Sequence, residues 1–131
     1  VDLPGAMVRA MTAHFGSDPA NLVAAIGPCI GPCCYEVGAE VIDAVRVAFA
    51  DAETLLPAQA RAGGRHFDLP AANRRNLLNA GVRAVELSEV CTACRTDLFF
   101  SHRAERGRTG RFGTVFALGQ VRRAPSPTSV I

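Results

Sequence analysis

The stretch LVAAIGPCIGPCCYEVG, residues 22–38, decides how the chain must be read. Its first five residues are an uninterrupted apolar run, too short for an ordinary helix and closed by Gly27-Pro28, so they read as a buried strand. Glycines at 27, 31 and 38 with prolines at 28 and 32 exclude regular helix over the rest, leaving a shaped loop at the strand's end. Beyond it, Val37, Val41, Val45 and Phe49 recur every fourth residue with Ile42 beside them. That spacing predicts a helix over 39–50, with Glu40, Asp43 and Arg46 on its wet side.

Working outward, Asp2 and Pro4 are a helix-start signal, and Met7, Val8, Met11 and Phe15 share one face, which predicts a helix over 4–15. Residues 55–65 show no period, and Gly63-Gly64 interrupts them. Phe67-Asp68-Leu69-Pro70 then opens a third helix, with Asp68 as its cap and Gly81 as its stop. Segments 82–87 and 112–118 read as further strands, and 122–131 as a loose tail. Helix, strand, helix, helix, strand, strand is an α/β pattern, read as a single domain over 1–131. So few strands for so much irregular chain predict part of a larger layered fold, whose apolar surface and unpaired edge favour self-association.

Apolar residues make up 49% and charged residues 20%, which excludes a disordered chain. No apolar run approaches the roughly 18 residues of a membrane-spanning helix. Asp2, Arg9 and His14 break the apolar core a signal peptide would need, so the expectation is a cytoplasmic protein with no membrane partner. All fourteen basic residues are arginine and the net charge is only +2, too weak a balance to announce a nucleic-acid partner.

Five cysteines are too few, and an odd count, for a disulfide framework, so they read as thiols or metal ligands. Cys91-x-x-Cys94 has chelating spacing, and Cys29 with Cys33 or Cys34 would complete a four-thiolate zinc site. The competing reading leaves Cys34 and Cys94 as buried, inert thiols. A redox pair lacks the thioredoxin order of elements. Among the histidines, His14 belongs on a helix surface, His66 decorates a turn, and His102 is best placed for a polar pocket. Arg103, Arg106, Arg108 and Arg111 surround Glu105 among glycines, a composition suited to clamping an anion. Apolar or aromatic neighbours should draw Arg103 and Arg111 inward, leaving Arg106 and Arg108 solvated.

Three blocks in order, IGPCIGPCCYEVG (26–38), FDLPAANRRNLLNAGV (67–82) and CTACRTDLFFSHRAERGRTGR (91–111), resemble the C-terminal half of the YfiH family over 22–118. The resemblance implies part of an α/β/α sandwich of the YfiH-like cysteine hydrolase fold, grouped with cytotoxic necrotising factor. For the whole protein it implies a metal-dependent purine nucleoside phosphorylase with adenosine deaminase-type activity, whose partners are a purine nucleoside and phosphate. Other activities attached to the family are a polyphenol (laccase-like) oxidoreductase and a peptidoglycan precursor editing hydrolase. A small non-catalytic zinc-binding module is the reading from outside it.

The family's metal, zinc or copper, is held by two histidines and a cysteine of the N-terminal half, one of them in a His-Ala-Gly-Trp-Arg-Gly block. This sequence has no tryptophan and no such block, so no metal ligand is carried over and the chain alone is expected to be inactive. By motif, Tyr35 and Arg103 take the catalytic positions. Ser101, His102 and Arg111 take substrate-binding ones. Tyrosine is the family's residue where His102 stands, which argues against a general base there.

Overall fold

In a computed structural model, residues 2–58 and 64–116 are described. Helix α1 spans Leu3–Phe15, started by the Asp2 carboxylate, which accepts the Gly5 N–H at 2.9 Å. Its predicted apolar face is only partly used: Val8 is buried, but Met7 is 59% and Phe15 81% exposed. Strand β1, Val23–Ile26, forms from the apolar run of residues 22–26 and meets β2, Glu36–Val37, only after the glycine-proline loop.

Helix α2, Ala39–Ala48, lays Val41, Ile42 and Val45 on Phe49, Leu55, Leu56, Phe67 and Ala72, as the four-residue spacing predicts. It stops two residues short of the predicted end, and a 3-10 turn at Ala52–Leu55 leads to β3, Arg65–His66. This strand pairs antiparallel with β2, Glu36 opposite His66. Helix α3, Leu69–Asn79, is capped by Asp68, whose carboxylate accepts the Ala71 N–H at 2.9 Å. Gly81, at φ +96°, turns the chain into β4, Ala84–Leu87, in a conformation that side chains resist.

Strands β1 and β4 pair in parallel, Val23 opposite Ala84 and Ile26 opposite Leu87. The crossover that such a pair requires is made by α2 and α3. Val8, Leu77 and Val82 pack with Leu22, Ala24, Ile26 and Val85 beneath α1 and α3. The alternate residues Val23, Ala25, Ala84 and Glu86 are exposed, so β1 is covered on one face rather than buried as its unbroken apolar run suggested. A parallel sheet ordinarily carries helices on both faces.

The predicted strand over 112–118 is not formed across its described part. Residues 112–116 join no ladder, and Val115 is 95% exposed, because no strand edge among the described residues runs beside them. Residues 117 and 118, and the predicted tail at 122–131, lie outside the described residues. Among the described residues, no helix is long and apolar enough to cross a membrane.

Candidate functional site

Parallel pairing delivers the loops that follow β1 and β4 to the same end of the sheet, the end where open α/β sheets place their sites. The ladder continues past the strands: Ser88 donates its N–H to the Ile26 carbonyl at 2.9 Å, Thr92 to that of Cys29 at 3.0 Å, and Cys29 bridges Cys91. Each loop then makes a tight turn. Cys34 and Tyr35 donate to the Gly31 carbonyl, both at 3.0 Å, and Cys94 and Arg95 donate to that of Cys91 at 3.2 and 3.1 Å.

These turns gather the sulfurs of Cys33, Cys34, Cys91 and Cys94 within 4.8 Å of one another. Cys94 lies 3.6 Å from Cys33 and 3.4 Å from Cys34. The sequence pairing of Cys29 with one member of the 33-34 dipeptide is therefore corrected. Both adjacent cysteines join the group, and Cys29 stays in the ladder. The inert, buried reading fails for Cys94, which is exposed, and for Cys34, which is half-buried against it.

Burial opposes ionisation of the Cys91 thiol, but N–H groups of Gly31, Cys94 and Ala93 and the Cys33 thiol outweigh it and bring it down to about 6. Burial, then hydrogen bonding to Cys91 and Cys94, pushes Cys33 up to about 11. Cys34 is raised by burial and by its bonds to Cys94 and Cys33, and Cys29 by burial and the neighbouring Cys91.

Tyr35 directly follows the paired cysteines and packs on Phe67, ring centroids 6.1 Å apart. Over its ring sits the Arg103 guanidinium, 5.1 Å from the centroid. Arg103 also donates from Nη1 to the Glu36 carbonyl at 2.8 Å. One contact uses the cation on a π face and the other fixes one arm of the fork, so the remaining N–H groups are held in a defined plane. Arg103 is nevertheless exposed, as is Arg111, so neither is drawn inward as their neighbours suggested. Arg106 and Arg108 are solvated as expected.

Ser101 is buried and makes hydrogen bonds inside the turn. Its Oγ accepts the Ala104 N–H at 3.4 Å, while its own N–H donates to Glu105 at 2.6 Å. Thr109 donates its hydroxyl to the same Glu105 oxygen at 2.5 Å. These bonds, Thr109 first, hold the Glu105 carboxyl below its ordinary 4.5. A depressed carboxyl contributes stability that is present above the unfolded value and lost as pH falls through the folded one. The turn that carries Arg103 should therefore loosen only below pH 4.5. An NMR titration of the Ser101 amide should show a midpoint below that value, absent in Glu105→Gln. A midpoint at or above it would contradict the anchoring role.

His102 and Arg111 share a shallow hollow with Phe100, Thr109, Gly110 and Phe112. A Cβ at Gly110 would press on the tip of the half-exposed Phe100 ring, 2.7 Å away, and displace it. Among the described residues Arg111 donates to the neighbouring Gly110 carbonyl, at 3.1 Å. His66 corrects the turn-decoration reading. It is 6% exposed inside the β2–β3 pair, and its Nδ1 has no hydrogen-bond partner among the described residues. An apolar groove lies elsewhere, between α2, α3 and the start of α1, and includes none of the predicted site residues.

A family model described as "Multi-copper polyphenol oxidoreductase laccase" matches residues 2–119. The chain is 47% identical over 96 residues to "Purine nucleoside phosphorylase YlmD" of Geobacillus stearothermophilus, covering 71% of this chain and 35% of that one. It is 37% identical over 98 residues to "Adenosine deaminase RL5" of an unknown prokaryotic organism, covering 73% and 37%. Among solved structures, YfiH of Bacillus licheniformis superposes with a TM-score of 0.76 at 38% identity, over 83% of this chain and 42% of that one. YlmD of Geobacillus stearothermophilus gives 0.72 at 42%, over 83% and 41%. The chain thus spans well under half the length of these relatives.

Proposed function

The chain belongs to the multi-copper polyphenol oxidoreductase laccase family, and from that membership we propose that it supplies one wall of a purine-nucleoside active site. The observation that carries this reading is Arg103, stacked on Tyr35 and pinned by the Glu36 carbonyl, with its fork exposed beside an aromatic face. Its support from the comparisons is that relatives are named purine nucleoside phosphorylases and an adenosine deaminase.

In phosphorolysis, phosphate displaces the purine from the ribose and breaks the N-glycosidic bond. Arg103, with Arg111, offsets the charge of the incoming phosphate. In deamination, water replaces the exocyclic amine at the same site. Tyr35 packs or hydrogen-bonds at the pocket edge, and Ser101 and His102 shape the adjoining turn. The bare face of the β1–β4 sheet is where we place the third layer of an α/β/α sandwich of the cysteine hydrolase type.

An oxidase-type copper centre finds no imidazole donors gathered with other ligands among the described residues. The one group of three or more histidines, cysteines or carboxylates able to hold a metal is all sulfur. A copper oxidase centre draws on imidazole nitrogen, and no histidine joins that group. We place the zinc or copper of the whole enzyme's reaction on residues outside this chain.

The test is a phosphorolysis assay with inosine and adenosine, run beside a deamination assay. The 131-residue chain alone should give no turnover. The same chain joined to the remainder of the Geobacillus relative should give phosphate-dependent release of purine base. Turnover by the isolated chain that chelators leave untouched would overturn the division of labour proposed here.

A further inference from the structure

We propose that Cys33, Cys34, Cys91 and Cys94 form a structural zinc site that clasps the loops leaving the parallel strands β1 and β4. The proposal stands on geometry and is independent of the nucleoside reading. Zinc bound to thiolates at about 2.3 Å in a tetrahedron sets its sulfurs about 3.8 Å apart. The four sulfurs here are separated by at most 4.8 Å, two of the separations being 3.4 and 3.6 Å. A disulfide would need its sulfurs drawn to about 2.05 Å, and no pair in the group is bonded.

The loops are built toward the same point from both sides. Cys91-x-x-Cys94 makes a turn in which Cys94 donates its N–H to the Cys91 carbonyl at 3.2 Å. From the opposite loop, Gly31 donates its N–H to Cys91 Sγ at 3.3 Å. The Gly31 backbone lies against both sides of the group: a Cβ there would stand in ordinary contact, 3.4 Å from that of Cys91 and 3.5 Å from Cys33 Sγ. Amide donors aimed at a sulfur favour its thiolate form, the form that binds metal. Four protein thiolates fill every position of a tetrahedral ion and leave none open, so the site holds structure and performs no metal chemistry on a substrate. Binding moves no electrons. Each thiol still protonated passes its proton to solvent as its sulfur takes the ion.

The clasp lies directly before Tyr35 in one loop and shortly before the turn of Arg103 in the other. Holding 33-34 against 91-94 therefore sets the two residues that meet across 68 positions of sequence.

The experiment is elemental analysis of the full chain, purified with a thiol reductant and without chelator. About one zinc per chain is expected, as in other four-cysteine sites. Cys91→Ser and Cys94→Ser should each lose most of it, while Cys29→Ser, outside the group, should keep it. Folding failure of the first two variants is bypassed with unmutated protein. Cobalt(II) exchanged into it should give sulfur-to-metal charge transfer and tetrahedral absorption, and chelation should expose about four additional titratable thiols. Four results overturn the proposal: a chain that retains no zinc, copper in its place, a Cys33–Cys94 or Cys34–Cys94 disulfide under reductant, or zinc lost equally from Cys29→Ser.

Discussion

Replacing Arg103 with alanine is expected, on the proposed function, to lower kcat/KM for phosphate-dependent nucleoside cleavage by the whole protein about 10²- to 10³-fold, the usual cost of removing one preorganised donor from developing charge. Two contacts give the guanidinium its plane. The Tyr35 ring lies beneath it at 5.1 Å and the Glu36 carbonyl accepts one arm at 2.8 Å. At an exposed position that stacking contributes only about 0.5–1 kcal/mol to folding, so the alanine variant should fold nearly as well as its parent. Arg103→Lys separates charge from geometry. An ammonium keeps the positive charge but has no planar fork, so lysine should recover only a minor part of the loss. Initial rates at varied phosphate concentration check both points. A variant that keeps its parent's kcat and phosphate KM would remove Arg103 from the site and leave Tyr35 as a packing residue only.

The elements that were legible in the sequence are those with local causes. Asp2 and Asp68 cap helices because each carboxylate reaches an N–H three residues on, and Gly81 stops α3 because its φ is positive. Such signals lie within a few residues of the structure they determine. The four-residue spacing of Val41 and Val45 likewise placed α2 against its core, whereas Val37 of the same series falls in β2 and Phe49 just past the helix end.

What escaped depends on distant partners. Strands β2 and β3 contribute two residues each and exist because each finds the other, which no local pattern can announce. The segment 112–118 reads as a strand on weak alternation, but its described part, 112–116, finds no neighbouring edge among the described residues. The cysteine group was half legible. Cys91-x-x-Cys94 has its spacing in one turn, whereas membership of Cys33 and Cys34 rather than Cys29 follows from where the parallel ladder ends. Arg103 was found by composition and resemblance, yet its contact with Tyr35 depends on packing between two loops. His66 was missed because a single histidine beside a helix cap carries no sign of burial.

The same distinction between local signal and packing makes Leu56→Ala the most damaging single truncation expected in the core. Leu55 and Leu56 open the aperiodic stretch, where no repeat marks them as apolar anchors, yet they are 1% and 0% exposed. They belong to the core cluster formed by α2, Phe67 and the first turn of α3, together with Val45, Phe49 and Ala72. The surrounding backbone is tied down. Leu56 accepts from Arg65 Nη1 at 2.7 Å, and the adjacent Leu55 carbonyl accepts the Asp68 N–H at 2.9 Å. A chain held this way cannot collapse easily into the vacated volume, so the cavity penalty adds to the lost burial. The expected cost is about 2–5 kcal/mol. A domain of this size has a total stability of about 5–15 kcal/mol, so the loss should be visible as a large fall in the urea midpoint. Val47→Ala supplies the contrast: this helix residue is 89% exposed, and its truncation should stay within about 0.5 kcal/mol. Equal midpoints for the two variants would mean that the Leu56 site repacks freely and that this cluster is not what holds β2, β3 and the Tyr35 loop in place.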